Sequence, residues 1–538
     1  MVQVRQRVLA ALAACVLLAP PAGAKRFFGD DPLWREPPPQ SVTKPPKKRS
    51  INEYYDFFRN TFFTPGEELR EKGLVPRAGA ANTLGEVPDS AWYQNRDVRR
   101  MTMEELVRGP GDSHPPSAKG PWTVISGKTE GITPGLMIQD ASGVRYLLKF
   151  DPRQHPEMTS AADVIGSKFF WALGYNVPQN YIVRFSREQL KLAPDAMFTD
   201  RRGKERVMRE DDLADVLRAL PREGESGYRA LASMILPGEA IGPFRFHGFR
   251  KDDPNDLVRH EHRRDLRGLR VFAAWLNHTD SKSINSLDTV VEENGVRYIK
   301  HHLIDFGAIL GSDSFTPKSP RAGNVHLFEW EPAAAQFALL GLYVPQWMRA
   351  DYPEIRGVGR FESEVFDPLR WKSNYPNPAF ENCLPDDAFW AAKKVMAFSD
   401  AQIRAIVETG QYSDTRAVEW ITRQLIARRE KIGRVYFGAV LPLDNFAARN
   451  GRLEFEDLAV KHGFASPRKL EARWARFDNL TGAQSVVPGA GFGLPNLLDS
   501  PGAYAAAEMR GEDAAKTVTV YLRNRQGRIE VVGVEQKW

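Results

Sequence analysis

Cysteine is nearly absent. The 538 residues contain two, Cys15 and Cys383. Residues 1–24 read as a secretory signal, with Arg5 and Arg7 ahead of the apolar run "VLAALAACVLLA" and small residues Ala22 and Ala24 before Lys25. A processed chain therefore keeps one thiol and forms no intrachain disulfide, even in an oxidising compartment, and stability has to come from core burial. Cys383 has no partner thiol and no zinc-type Cys/His spacing around it, and reads as a small buried apolar residue. A strong charge excess is missing too: 74 basic against 68 acidic residues leave a net +6, which makes no electrostatic case for nucleic acid as a partner. The leader's apolar run is too short for a permanent membrane span, and no internal repeat is present. "LAAC", Leu12 to Cys15, also has the shape of a lipoprotein box, which would lipidate Cys15 and anchor the chain to a membrane. The apolar "VLLAP" that follows, where a polar tether is usual, favours ordinary cleavage and an exported, periplasmic or extracellular protein.

What the chain does hold is apolar material, 42% of residues with 11% aromatic, enough for two or three domains with their own cores. Residues 25–50, rich in Pro and Lys, read as an extended linker. "INEYYDFFRNTFF", 51–63, predicts a short helix whose rings pack into a core in preference to touching a membrane. The rest of 51–120 is broken by Gly and Pro and predicts an irregular extension. From 121 the pattern becomes regular, with the β-like runs "WTVIS", "GLMIQD" and "VRYLLKF" followed by the helical period "SAADVIGSKFFWALG" and the strands "NYIVRFS" and "YRALASMIL". This is an antiparallel sheet unit over 121–238, with 187–227 a charged surface insertion carrying one helix. Residues 239–438 predict a mainly helical unit, with one helix from about 256 and a hairpin turned by Asn294-Gly295. Short β runs from 440 to 538 predict a small separate β domain. The fold class is α+β.

Phosphoryl transfer from a nucleotide needs oxygen ligands for a divalent metal, a cation on the phosphates that stay behind, and a carboxylate facing the attacking hydroxyl. The chain carries such groups in a fixed order. Lys149 ends the third strand. "NHTDSKSIN", 277–285, matches H-x-D-x-K-x-x-N with His278, Asp280, Lys282 and Asn285. Asp305, Phe306 and Gly307 form D-F-G after the hairpin. The span from 122 to about 437 thus resembles a two-lobed protein-kinase-like domain. "SAADVIGSKFFWALGYNVP" is similar to the acidic-headed helix of atypical bacterial kinases of the HipA-like and CotH-like kinds.

That resemblance implies roles. Asp280 orients or deprotonates the acceptor hydroxyl, and Lys282 neutralises the transferred group. Asn285 and Asp305 hold Mg²⁺ or Mn²⁺, while Lys149 holds the α and β phosphates of ATP. Asp163, one methylene shorter than the usual Glu, stands behind Lys149, with Glu157 as the fallback partner. G-x-G-x-x-G is absent; Gly127, Lys128 and Gly131 in "SGKTEGITPG" are the candidate phosphate loop, though a glycine-rich hairpin is equally an ordinary turn. Adenine is expected against backbone from Met234 to Leu236. The bland reading of Asp280 and Asn285 is a polar turn after a helix, and of Lys149 a snorkelling strand residue; the ordered set outweighs both. ATP is scarce outside the cytoplasm, so two alternatives stand beside a secreted kinase acting on a protein or small-molecule hydroxyl. One is a pseudokinase or envelope binding module; the other is nucleotidyl transfer on the same fold.

Overall fold

The computed structural model describes residues 25–63, 69–70, 72–112, 114–128, 135–200, 203–225, 227–329, 345–488 and 491–538. The leader, Gly131 and residues 330–344 lie outside the described residues. Among the described residues no helix is long and apolar enough to cross a membrane. The chain divides into a larger unit, Arg35–Ala81 with Val87–Phe437, and a smaller one, residues 25–34 and 82–86 with Gly438–Trp538.

In the larger unit, helix α1 (Glu53–Phe62) starts at Asn52, whose side chain accepts the Tyr55 N–H, and α2 (Met103–Arg108) starts at a Thr102–Glu105 capping box. The sheet lobe then runs β1 (Trp122–Lys128), β2 (Gly135–Gln139), β3 (Arg145–Lys149), α3 (Met158–Ala172), β4 (Asn180–Ser186), β5 (Leu190–Thr199), β6 (Glu205–Val207), α4 (Glu210–Arg218), β7 (Arg222–Glu223) and β8 (Gly227–Met234). Strand order is β4-β8-β3-β2-β1-β5-β6, with β7 on β8. Pairing is antiparallel except between β1 and β5. Alternate side chains such as Leu136, Ile138, Tyr146 and Leu148 fill one apolar core, as the period of two requires.

Residues 187–227 are not a surface insertion. β5 and β6 extend the main sheet, and Leu190, Phe198, Leu213 and Val216 are part of its core. Pro194 inside β5 and the charges around it hide the alternation from a sequence reading.

The second lobe comprises β9 (Glu239–Gly242), α5 (Arg264–Leu276), β10 (Ser286–Glu293), β11 (Val296–Leu303), α6 (Pro378–Glu381), α7 (Pro385–Met396), α8 (Asp400–Glu408) and α9 (Thr415–Ala439). Asn294 and Gly295 both take positive φ, as a type I′ turn demands. The helix expected from 256 begins only at Arg264, after a 3₁₀ turn at His260–His262. The stretch 345–377 is irregular apart from one 3₁₀ turn, so among the described residues the helices expected over 325–437 are found from Pro378 on. Helix α3 is buried all round except at Trp171, as a helix enclosed by packing on every face must be. The larger unit is thus α+β, a sheet lobe followed by a lobe of hairpin and helices, and a C-terminal β domain follows it.

That smaller unit holds β12 (Leu443–Arg449), β13 (Arg452–Asp457), a helical turn at Leu458–Lys461, β14 (Glu471–Phe477), β15 (Gln484–Val487), β16 (Tyr504–Arg510), β17 (Thr517–Arg525) and β18 (Arg528–Lys537). β15-β14-β16-β17-β18 form one sheet over Trp474, Met509, Val518 and Leu522. Residues 25–50 are extended but are not a free linker. Phe27 packs with Phe477 and Tyr521 in the smaller unit, and Val42 joins Ile241, Val290 and Ile299 in the larger one. Single apolar anchors dock these segments without leaving any period in the sequence.

Candidate active site

Lys149 closes β3 on the side opposite Tyr146 and Leu148. Its ammonium donates to Asp163 Oδ2 on α3 at 3.0 Å and to Asp305 Oδ1 at 2.8 Å. Burial alone pulls the Lys149 pKa down; the two carboxylates outweigh it and hold it above the ordinary lysine value. Asp163 is pushed up by burial against the pull of Lys149. Its Oδ1 also accepts from Asn180 Nδ2 at 2.9 Å and from the Phe306 N–H at 3.2 Å. Asp305 is held below the usual carboxylate range by Lys149, against burial. Glu157, the fallback partner, is elsewhere: it accepts from Arg356 and Ser413.

Asp305 sits at φ +63°, a conformation a non-glycine residue keeps only when its surroundings enforce it. Phe306 enforces it. Its ring is fully buried, stacked on Phe170 with centroids 4.9 Å apart and 6.0 Å from the His278 ring. Gly166 on α3 leaves room for this packing, since a Cβ there would lie 2.6 Å from Phe306 Cβ.

Helix α5 ends at Asn277 in the left-handed region, with Asn277 Oδ1 accepting from Trp371 Nε1. The loop that follows is a closed hydrogen-bonded set. Asn285 Nδ2 donates to Asp280 Oδ2 and to the Asp280 carbonyl, both at 2.8 Å. Lys282 Nζ lies 2.8 Å from Asp280 Oδ1 and also pairs with Glu53 of α1. Asn374 Nδ2 donates to Asp280 Oδ1 at 3.0 Å, and Lys318 Nζ to Thr279 Oγ1 at 2.5 Å. Burial pushes Asp280 up, but Lys282 leads the groups that bring it below the usual carboxylate value; it is an ionised acceptor at neutral pH. Burial holds the His278 ring neutral, with its pKa down at about 4.

The two halves are tied by one backbone bond, Ile304 N–H to the Asn285 carbonyl at 3.0 Å, continuing the β10–β11 register in which Ser286 faces Leu303. Asp305 is thus the next residue beyond the partner of Asn285. Asn285 spends its Nδ2 on Asp280, leaving Oδ1; Asp305 gives Oδ1 to Lys149, leaving Oδ2 on a half-exposed side chain. Two hard oxygen donors on neighbouring segments are of the kind Mg²⁺ or Mn²⁺ takes, with its other ligands from phosphate and water. Among the described residues no group of three or more His, Cys, Asp or Glu side chains forms a metal cluster.

The nucleotide-contact expectations fare differently. Gly127 is buried between paired strands, and a Cβ there would meet Leu136 at 3.0 Å and Met208 at 3.1 Å. Strand packing accounts for this glycine. Lys128 is the last residue of β1, paired with Gly135 and Thr199, and Gly131 is outside the described residues. At the lobe junction the Met234 N–H is spent on the Gln179 carbonyl and the Ile235 N–H on the Arg145 carbonyl, so Met234 offers adenine no free amide donor and Leu236 is left as the candidate. Sequence reading missed Glu53, Asn374 and Lys318. Glu53 belongs to the segment read as a packing helix, and no motif spacing marks any of the three.

No protein-family model and no curated protein matches the chain. Among solved structures it is similar to the Helicobacter pylori proinflammatory kinase CtkA, with a TM-score of 0.30 and 10% identity over 57% of this chain and 92% of that one. It is also similar to a Golgi casein kinase, with a TM-score of 0.30 in both structures: 8% identity over 62% and 73% of the two chains in the Mn/ADP-bound form, and 9% over 76% and 95% in the other.

Proposed function

We propose that the chain is an exported atypical kinase that moves the γ-phosphoryl group of ATP, bound with Mg²⁺ or Mn²⁺, onto a protein or small-molecule hydroxyl. The observation that carries this is the double contact of Lys149 with Asp163 and Asp305, joined through the Ile304–Asn285 bond to the loop that bears Asp280. A buried-side ammonium between carboxylates is poised for the phosphates that remain on the nucleotide. Asn285 Oδ1 and Asp305 Oδ2 are the atoms that would hold the metal, which when bound neutralises phosphate charge. Asp280, ionised and oriented by Asn285 and Asn374, accepts a hydrogen bond from the acceptor hydroxyl and takes its proton as the new P–O bond forms and the bond to the β-phosphate oxygen breaks. Lys282 sits beside Asp280, where charge on the moving group is neutralised.

The test is transfer of label from γ-labelled and, separately, α-labelled ATP by the full chain supplied with a hydroxyl-bearing acceptor mixture and Mn²⁺. The expected result is incorporation from the γ position only, reduced by about 100-fold or more in Asp280→Asn. Incorporation from the α position assigns nucleotidyl transfer instead, and saturable nucleotide binding without incorporation assigns the binding module.

A further inference from the structure

The polarity of α1 is inverted. Its inward stripe is polar: Glu53 pairs with Lys282, Asp56 accepts from Tyr375 Oη, and Asn60 is buried. These positions lie three, four and seven apart, one face of a helix. The rings point the other way. Tyr54 is 79% exposed, Tyr55 64%, Phe58 56%, Phe62 51% and Phe63 79%, so the core packing expected of them is not found; Phe57 alone turns in, edge-on to Tyr375 at 5.6 Å. Three exposed rings form a continuous row, Phe58 to Phe62 at 5.8 Å and Phe62 to Phe328 at 5.5 Å, with exposed Leu327 next to Phe328 in the chain. Single exposed rings are ordinary on a protein surface, whereas a contiguous row marks an interaction site.

We propose that α1 is a docking ridge for an anionic lipid bilayer surface. Two features select this occupant. The exposed face mixes tyrosines, which have a polar tip, with phenylalanines, the composition that settles at the boundary between headgroups and acyl chains. The segment entering it carries exposed Lys44, Lys47 and Lys48, the last of them 3.8 Å from Glu239, and cations of this kind are attracted to an anionic surface. Because the inward face of the same helix holds Lys282, docking sets the Asp280 loop beside the membrane, where a hydroxyl carried by a lipid or a membrane-attached protein is presented.

Vesicle flotation of the full chain tests this without reference to catalysis. The protein is expected to float with vesicles containing about 30 mol% phosphatidylglycerol in phosphatidylcholine, and less with phosphatidylcholine alone, at about 0.1 M salt. The triple variant Tyr54→Ser, Phe58→Ser, Phe62→Ser is expected to lose binding by at least about ten-fold while keeping its thermal midpoint, since those rings are already in solvent. Lys47→Glu with Lys48→Glu is expected to weaken binding by roughly ten-fold at low salt and much less at high salt. A wild-type chain that stays with the soluble fraction at both compositions overturns the proposal, as does a triple variant that floats like wild type. Specific retention by a purified protein, with vesicles ignored, would reassign the ridge to a protein partner and also overturn it.

Discussion

In the proposed reaction, Glu53 and the transferring phosphate would compete for the Lys282 ammonium. Lys282 is raised above its ordinary pKa by Asp280 and Glu53, against burial, so it stays charged, and its ammonium is shared between two carboxylates. Glu53→Gln removes that competitor. The expected outcome is a two- to five-fold lower Kd for the nucleotide–metal complex by calorimetry, equivalent to roughly 0.5–1 kcal/mol for a partly exposed ion pair; an unchanged or higher Kd contradicts it. That Lys149 meets Asp305 and Asp280 meets Asn285 could be anticipated from the resemblance to the kinase motif order. The contacts of Glu53 and Asn374 could not, since they reach Lys282 and Asp280 from 229 and 94 residues away through contacts that any Glu or Asn could make. Gly127 shows the reverse error: a glycine in a suggestive loop whose need for lacking a Cβ is set by Leu136 and Met208.

Helix α3 couples the sheet lobe to the Asp305 turn through Asp163 on one side and Gly166 on the other. In an ordinary helix a Gly→Ala change stabilises by up to about 1 kcal/mol. At Gly166 the new methyl would meet Phe306 at 2.6 Å and Ile309 at 2.7 Å, so Gly166→Ala is expected to destabilise by about 1–3 kcal/mol in urea unfolding and to weaken nucleotide binding as Phe306 shifts and carries Asp305 with it. Unchanged or increased stability with full binding contradicts this role. Elements closed by strong turn chemistry, such as the Asn294-Gly295 hairpin, could be read directly. β5 could not, because Pro194 and neighbouring charges mask its alternation. α1 was recognisable as a helix but its facing was not, since composition does not say which stripe turns inward when the polar stripe has buried partners of its own.

Over the molecule as a whole, buried imidazoles make stability depend on pH. His302 is held neutral by burial, with Lys300 and His301 adding to it, and its pKa falls to about 3 against about 6.5 in an unfolded chain. Its contribution is complete above pH 6.5 and is lost as pH falls, because only the unfolded chain takes up the proton there. His302→Gln cannot titrate. Its stability relative to wild type is therefore expected to shift by roughly 2 kcal/mol in the variant's favour between about pH 7.5 and pH 5, read from urea midpoints; a pH-independent gap contradicts the assignment. The two-lobed architecture and the separate β domain followed from strand and helix patterns, while the docking of Phe27 and Val42 into different units did not, because isolated anchors leave no periodic trace. The most direct test of the central claim is calorimetric titration of ADP with Mn²⁺ into the full chain and into Asp305→Asn. Saturable, metal-dependent binding by the wild type that vanishes in the variant is the expected result. No binding by the wild type, or binding that survives both Asp305→Asn and removal of the metal, would contradict it.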